Sequence, residues 1–292
     1  MPRILLIGKL GQVGWELRRT LAPMARLRCL DFPEIDLTQA DSILHCVNDY
    51  EPDIIVNAAA YTAVDQAEVE PDRAMQINGV APGLLAAETH KRRGLLVHFS
   101  TDYVFDGTKG EPYLESDAPN PLGVYGRSKL AGDQAVAASG GAHLIFRLCW
   151  VYGARGQNFM LTMTRLARER AKLRVVHDQI GCPTWSRMIS EASAAAIKQV
   201  WAAGDPSRFT GTYHLAAAGA TSWHGFAQAI INHLPDDQKR CSQVDPISSS
   251  EYPTRARRPA YSVLGCEKAQ RAFGLRLPDW RESLDLLWDK SS

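Results

Sequence analysis

Short apolar runs recur along the first half of the chain, each followed by a stretch with helical spacing. Arg3–Ile7, Leu27–Leu30, Ile54–Asn57, Leu95–Ser100 and His143–Arg147 are nearly continuously apolar, the pattern of strands covered on both faces. Helical periodicity fills the intervals over Gly11–Leu21, Thr38–Asp49, Arg73–Arg93 and Ser128–Ala138. Repeated strand–helix–strand units predict an α/β fold built on a Rossmann-type, doubly wound parallel sheet. Right-handed crossovers then place ligands beyond the carboxyl ends of the strands, where the strand order reverses.

The second half is less regular. A helix is expected over Arg155–Arg174, a turn or loop at Ile180–Thr184, an alanine-rich helix over Arg187–Ala202 and a strand over Gly211–Leu215. The remainder reads as short helices joined by loops that carry proline and arginine. The expected organisation is a dinucleotide-binding domain over 1–147 with a returning segment at about 185–215. Residues 148–184 and 216–292 would form a smaller mixed α/β substrate-binding domain, closing over the sheet's carboxyl edge.

Composition narrows the partners. Hydrophobic residues are 45% and charged residues 22% of the 292, and the net charge is +1. Such a balance gives no general attraction to nucleic acid or to an anionic membrane surface. No apolar run approaches the length of a membrane span. The six cysteines include no close metal-ligand spacing, so no zinc site is expected and the thiols read as core fillers. The chain enters its first strand directly after Met-Pro-Arg. A reducing cytoplasm is the expected setting.

The candidate chemistry begins at the first strand's end. Gly8, Gly11 and Gly14 form Gly-x-x-Gly-x-x-Gly, opening a helix. The first glycine permits the tight turn, the second the approach of a pyrophosphate, and the third close packing of helix on strand. Asp31 ends the second strand and can accept hydrogen bonds from adenosine ribose hydroxyls, repelling a 2′-phosphate. NADH is therefore favoured over NADPH. Asp36 and Leu37 follow, at the adenine edge; alternatively Asp36 precedes the helix near Thr38 as a cap. Ala59, Ala60 and Tyr61 follow the third strand, where small residues let a cofactor lie against the backbone.

Tyr125 and Lys129 are four residues apart, on one face of a helix. A phenol is a sluggish proton donor at neutral pH, and a nearby ammonium brings its pKa closer to working pH. The same lysine can hydrogen-bond a nicotinamide ribose. Thr101, at the end of the fourth strand, supplies a hydroxyl for a substrate oxygen. Arg258 can pair with a diphosphate, while Arg255 and Arg257 read equally well as a solvated basic loop.

Several stretches carry a family resemblance: Gly8–Leu17, Val56–Asp65, Ser100–Gly107, Pro121–Gly132, Phe146–Gly153, Asp178–Thr184 and Arg257–Pro259. They resemble the extended short-chain dehydrogenases/reductases, and more narrowly the dTDP-4-dehydrorhamnose reductases. The resemblance implies reduction of a 4-keto sugar nucleotide in the last step of dTDP-L-rhamnose synthesis, feeding cell-surface polysaccharide such as O-antigen. It implies Thr101, Tyr125 and Lys129 as catalytic residues. Gln12, Val13, Asp31 and Ala59–Tyr61 would touch the cofactor. Val64, Asp65, Thr101, Asp102, Tyr103 and Trp150 would meet the sugar nucleotide. Trp150 alternatively reads as a core aromatic.

One departure stands out. Dimeric members of the family bind Mg²⁺ between subunits through glutamates. Glu16 matches one of them, but the expected position of another reads Trp185-Ser186-Arg187, without an acid. No metal is therefore expected, and a monomer or weak homodimer is. The competing readings are a reductase or epimerase of another nucleotide sugar, and a non-catalytic dinucleotide-binding regulatory subunit like that of methionine adenosyltransferase. The complete set of Thr101, Tyr125 and Lys129 speaks against the last.

Overall fold

The computed structural model describes residues 1–289. Six parallel strands form its main sheet: β1 (Arg3–Ile7), β2 (Arg26–Leu30), β3 (Ile54–Asn57), β4 (Leu95–Thr101), β5 (Ala142–Leu148) and β6 (Gly211–His214). Their order is β6-β5-β4-β3-β1-β2. The order reverses between β1 and β3, which puts the topological switch beside the glycine turn. The doubly wound reading of the first half thus describes the chain.

The continuous apolar runs have a direct cause. Ile4 and Leu6 point to one face of the sheet and Leu5 and Ile7 to the other, and all four are buried. Each such side chain contributes about 1.5–3 kcal/mol on leaving water. One face is covered by α1 (Gln12–Leu21), through Leu17 and Leu21. The opposite face takes α2 (Ala40–Tyr50) and α3 (Ala81–Lys91), through Ile43, Val47 and Leu85. The next helix, α4 (Val124–Ala138), packs there too, through Val136. It begins four residues before the expected Ser128, so its first turn carries Tyr125. Ahead of α3 the helix runs through a π-helical segment, Gln76–Val80.

Beyond β5 the chain leaves the sheet. A helix, α5 (Phe159–Glu169), packs with α7 (Trp223–Asn232) around Tyr152, Met160, Phe226 and Trp280. Between them α6 (Ser186–Ala202) returns to cover the face of the sheet beside α1, before β6 joins the sheet edge. The expected helix Arg155–Arg174 is shorter than its pattern suggested. Lys172–Val176 is instead a strand paired in parallel with Gln243–Ile247. Lys172, Arg174 and the buried Leu173 and Val175 alternate with period two, the strand signature. The segment Ile180–Thr184 is not simply a loop. Ile180–Gly181 pairs with Thr221–Ser222, and Thr184–Trp185 with Val151–Tyr152.

Candidate active site

The glycine turn is packed as its spacing requires. Gly8 has φ +90°, and a Cβ there would lie 2.5 Å from the Ala59 nitrogen. A Cβ on Gly14 would lie 1.9 Å from the Gly8 carbonyl oxygen, so α1 can start only against a bare backbone. A Cβ on Gly11 would meet only that same oxygen, at 3.5 Å. Gly11 therefore leaves open space above the turn. No side chain caps α1 at Gly11, and uncapped helix N–H groups favour an anion such as a pyrophosphate. These features fit a dinucleotide. Gln12 accepts a hydrogen bond from the Asn158 amide at 2.9 Å, and the Val13 carbonyl one from the Ser190 hydroxyl at 3.1 Å.

Asp31 reaches back from the end of β2. Its carboxylate accepts from the Leu10 and Phe32 N–H groups, each at 2.9 Å. Beside it Lys9 pairs with Glu34. Asp36 accepts from the Thr38 N–H at 2.9 Å and from its hydroxyl at 2.7 Å, bonds that hold its carboxyl below the usual range. This favours the turn-capping reading of Asp36, although α2 itself begins after Gln39. Leu37 packs against the core beneath. Asp31→Ala is expected to move the ratio of kcat/KM values toward NADPH, because it removes a repulsive charge while leaving Lys9 in place. Loss of the bond to Leu10 affects both cofactors alike, so an unmoved ratio would remove Asp31 from the ribose.

The proton-transfer groups converge at the carboxyl ends of β4 and β5. Thr101 is buried at the end of β4; its hydroxyl donates to Asp102 at 3.1 Å and accepts from the Tyr103 N–H at 3.1 Å. The Thr101 hydroxyl lies close enough to the Tyr125 phenol to favour its ionised form, but burial dominates and pushes its pKa up to about 12. Tyr103 meets the Tyr125 ring edge-on, with centroids 5.9 Å apart. Asp102 is held behind them by a bond from the Cys149 thiol at 3.2 Å, and burial raises its pKa to about 6.

Lys129 is buried, and loss of solvent lowers its pKa to about 8, against the raising effect of Asp133. Its Nζ donates to the Phe99 carbonyl at 2.6 Å and lies 3.3 Å from Nε2 of His98. The expected tuning of the phenol by the ammonium is thus not the dominant effect on Tyr125 here. The lysine nitrogen rests on β4 instead.

Loop residues complete the rim. Asp65 accepts from the Ala256 N–H at 3.0 Å and pairs with Arg258 at 2.7 Å. The other terminal nitrogen of Arg258, Nη1, is buried with no partner. Val64, Tyr103, Tyr125 and Ala256 line one small cleft. Trp150, at φ +43°, stacks on Trp223 with centroids 3.5 Å apart and packs over Gly181. A hollow of about 520 Å³ beside Arg168, His233 and Trp288 shares no residue with this cluster.

Comparison with known proteins gives the family. The family model for the RmlD substrate binding domain matches residues 2–292. This chain belongs to that family. It is 48% identical over 289 residues to a dTDP-4-dehydrorhamnose reductase of Burkholderia thailandensis, covering 97% of each chain. It is 42% identical over 288 residues to the Shigella flexneri enzyme of the same name, covering 95% of this chain and 94% of the relative. A crystal structure of dTDP-4-dehydrorhamnose reductase from Bacillus anthracis in complex with NADP superposes with TM-score 0.89. It shares 35% identity and covers 98% of both chains.

Within this RmlD-type fold, sequence reasoning assigned no role to several buried polar residues. Asn57 and His98 lie at 0% exposure on β3 and β4, and Asp133 pairs with Arg147 at 3.1 Å. A polar residue inside an otherwise apolar strand was the available signal for His98. Asn78, also unremarked, sits in the π-helical segment, where its amide bonds the Tyr61 backbone and Ser128.

Where the resemblance would place metal-binding glutamates, Arg187 pairs with Glu191 at 3.0 Å, and Glu16 with Arg19 at 3.8 Å. Among the described residues of one chain no group of three or more His, Cys, Asp and Glu is placed to hold a metal. EDTA is expected to leave activity and native mass unchanged, since a guanidinium repels a divalent cation and supplies no oxygen ligand. Light scattering with Mg²⁺ and then with EDTA checks this; a dimer that dissociates on chelation contradicts it.

Proposed function

We propose that this protein reduces the 4-keto group of dTDP-4-dehydro-β-L-rhamnose to give dTDP-L-rhamnose, using NADH or NADPH. The observation that carries the reading is the juxtaposition of the Thr101 hydroxyl and the Tyr125 phenol, with Lys129 one turn on, together with an uncapped glycine turn after β1. The named activity of the full-length relatives supports the choice of substrate.

The bound nicotinamide supplies hydride to C4 of the sugar. Tyr125 hands its phenolic proton to the developing alkoxide. Burial keeps that proton in place at neutral pH, the protonation state that reduction requires. Thr101 orients the ketone oxygen, and Lys129 holds the cofactor ribose. Arg258 offers its unpartnered nitrogen to the diphosphate, and Asp65 fixes the loop that carries it. Trp150, braced by Trp223, covers an apolar face of the sugar nucleotide. Binding energy from these remote contacts positions the ketone.

The partner is a small sugar nucleotide, and we take the protein to be a monomer or weak homodimer in the cytoplasm. Among the described residues no helix is long and apolar enough to cross a membrane. A panel of dTDP-, UDP- and GDP-linked 4-keto sugars, assayed with both cofactors, tests the reading. NADH or NADPH oxidation greatest with the dTDP-4-keto sugar is the expected result. Turnover confined to another nucleotide would redirect the substrate, and none with any would leave a binding protein.

A further inference from the structure

His98 lies on β4, fully buried, three residues before the catalytic threonine. One ring nitrogen, Nε2, is 3.3 Å from Lys129 Nζ. The other, Nδ1, is 3.2 Å from the carboxamide nitrogen, Nδ2, of Asn57, at the end of β3. The Phe99 carbonyl takes another Nζ proton at 2.6 Å. The imidazole thus bridges two strands of the sheet and ends on the lysine of the proposed proton-transfer site.

We infer that His98 is a positioning residue for Lys129, its neutral Nε2 accepting one ammonium proton and its Nδ1–H donating to Asn57. An ammonium has three donors and no acceptor, so Nε2 must be the accepting nitrogen while Lys129 is charged. The single ring proton then sits on Nδ1. In the structure Asn57 turns its Nδ2 toward Nδ1 and its oxygen accepts from the Ala59 N–H at 3.3 Å; the charged lysine requires the carboxamide the other way round, its two ends exchanged by half a turn at the loss of that long bond. With the Phe99 carbonyl, His98 commits two of the three Nζ protons and leaves the third for the cofactor ribose. Burial and the neighbouring Lys129 charge both keep the imidazole neutral, the form in which it can accept.

The acceptor also favours the charged lysine against the cost of burial. Other charged or titratable groups face this site. Asp133 and Tyr125 lie on α4 with Lys129, Asp102 follows β4, and Arg147 on β5 pairs with Asp133. Asp133 supports the ammonium from the helix, and His98 supports it from the sheet. Without His98, the charged lysine would lose protons at lower pH.

The kinetic part rests on the reductase reading; the tautomer does not. ¹⁵N NMR of the wild-type protein, free and with NADH, is expected to show His98 neutral with the proton on Nδ1. A proton on Nε2 at neutral pH overturns the inference. His98→Leu is expected to move the alkaline fall of kcat to lower pH by about one unit, a tenfold change in lysine proton affinity. His98→Gln, which places an amide oxygen near the site of Nε2, should restore most of the wild-type profile. A folded Leu variant with an unmoved limb, or a Gln variant behaving like Leu, also overturns it. If the Leu variant does not fold, the tautomer decides alone. Wild-type protein that turns over no keto sugar would count against the reductase reading and leave the tautomer result standing.

Discussion

Tyr125→Phe is expected to lower kcat by ~10²–10⁴-fold, the usual contribution of a positioned acid, while NADH binding stays close to wild type. The substitution removes one oxygen. The ring keeps its edge-on contact with Tyr103, and Lys129 keeps its bonds on β4. Thr101 loses the phenol but retains Asp102 and the Tyr103 N–H as partners. Steady-state kinetics alongside NADH titration by fluorescence separates the chemical loss from a binding loss. A folded variant with more than half the wild-type kcat would remove Tyr125 from its assigned role.

Gly14→Ala is expected to act through the cofactor and through stability together. The added methyl would sit 1.9 Å from the Gly8 carbonyl oxygen, and both atoms belong to backbone that cannot swing aside. Either the turn or the start of α1 must shift. Overpacking of this kind costs about 3 kcal/mol or more, which corresponds to a fall in Tm of roughly 5–10 °C. A displaced turn also misaligns the helix N–H groups with the pyrophosphate, so KM for NADH should rise at least about tenfold, or about 1.4 kcal/mol. Gly11→Ala makes the internal control. Its methyl meets no protein atom closer than 3.5 Å, so it should spare Tm and weaken only cofactor binding. Equal effects of the two on Tm would contradict this division.

The sheet was legible because both of its faces are covered, which turns each strand into an unbroken apolar run. The strand ends were legible too, since glycines and hydroxyl residues interrupt those runs where ligands would sit. Lys172–Val176 was harder. No glycine or proline separates it from α5, and its partner Gln243–Ile247 lies far along the chain, so only the pairing reveals it. His98 was hidden for another reason. Its function depends on Lys129, 31 residues away, and a lone histidine in an apolar strand resembles an ordinary satisfied core residue. The lysine spacing was readable, but the direction in which Nζ turns was not, because burial and the Phe99 carbonyl decide it.

The bond between Asp65 and Arg258 joins residues 193 positions apart, and this bears on when the protein can first work during its synthesis. β1 to β5 can pair once Leu148 has emerged, yet the edge of β5 stays open until Gly211–His214 arrives. The rim of the site waits longer still, for Arg258. At ribosomal rates of ~5–20 residues per second, about 5–20 s separate the two events. For that interval the nascent chain carries a nearly formed cofactor cradle without the arginine proposed to grip a diphosphate. Until Gly211–His214 arrives it also presents an unpaired strand edge, a ready template for aggregation.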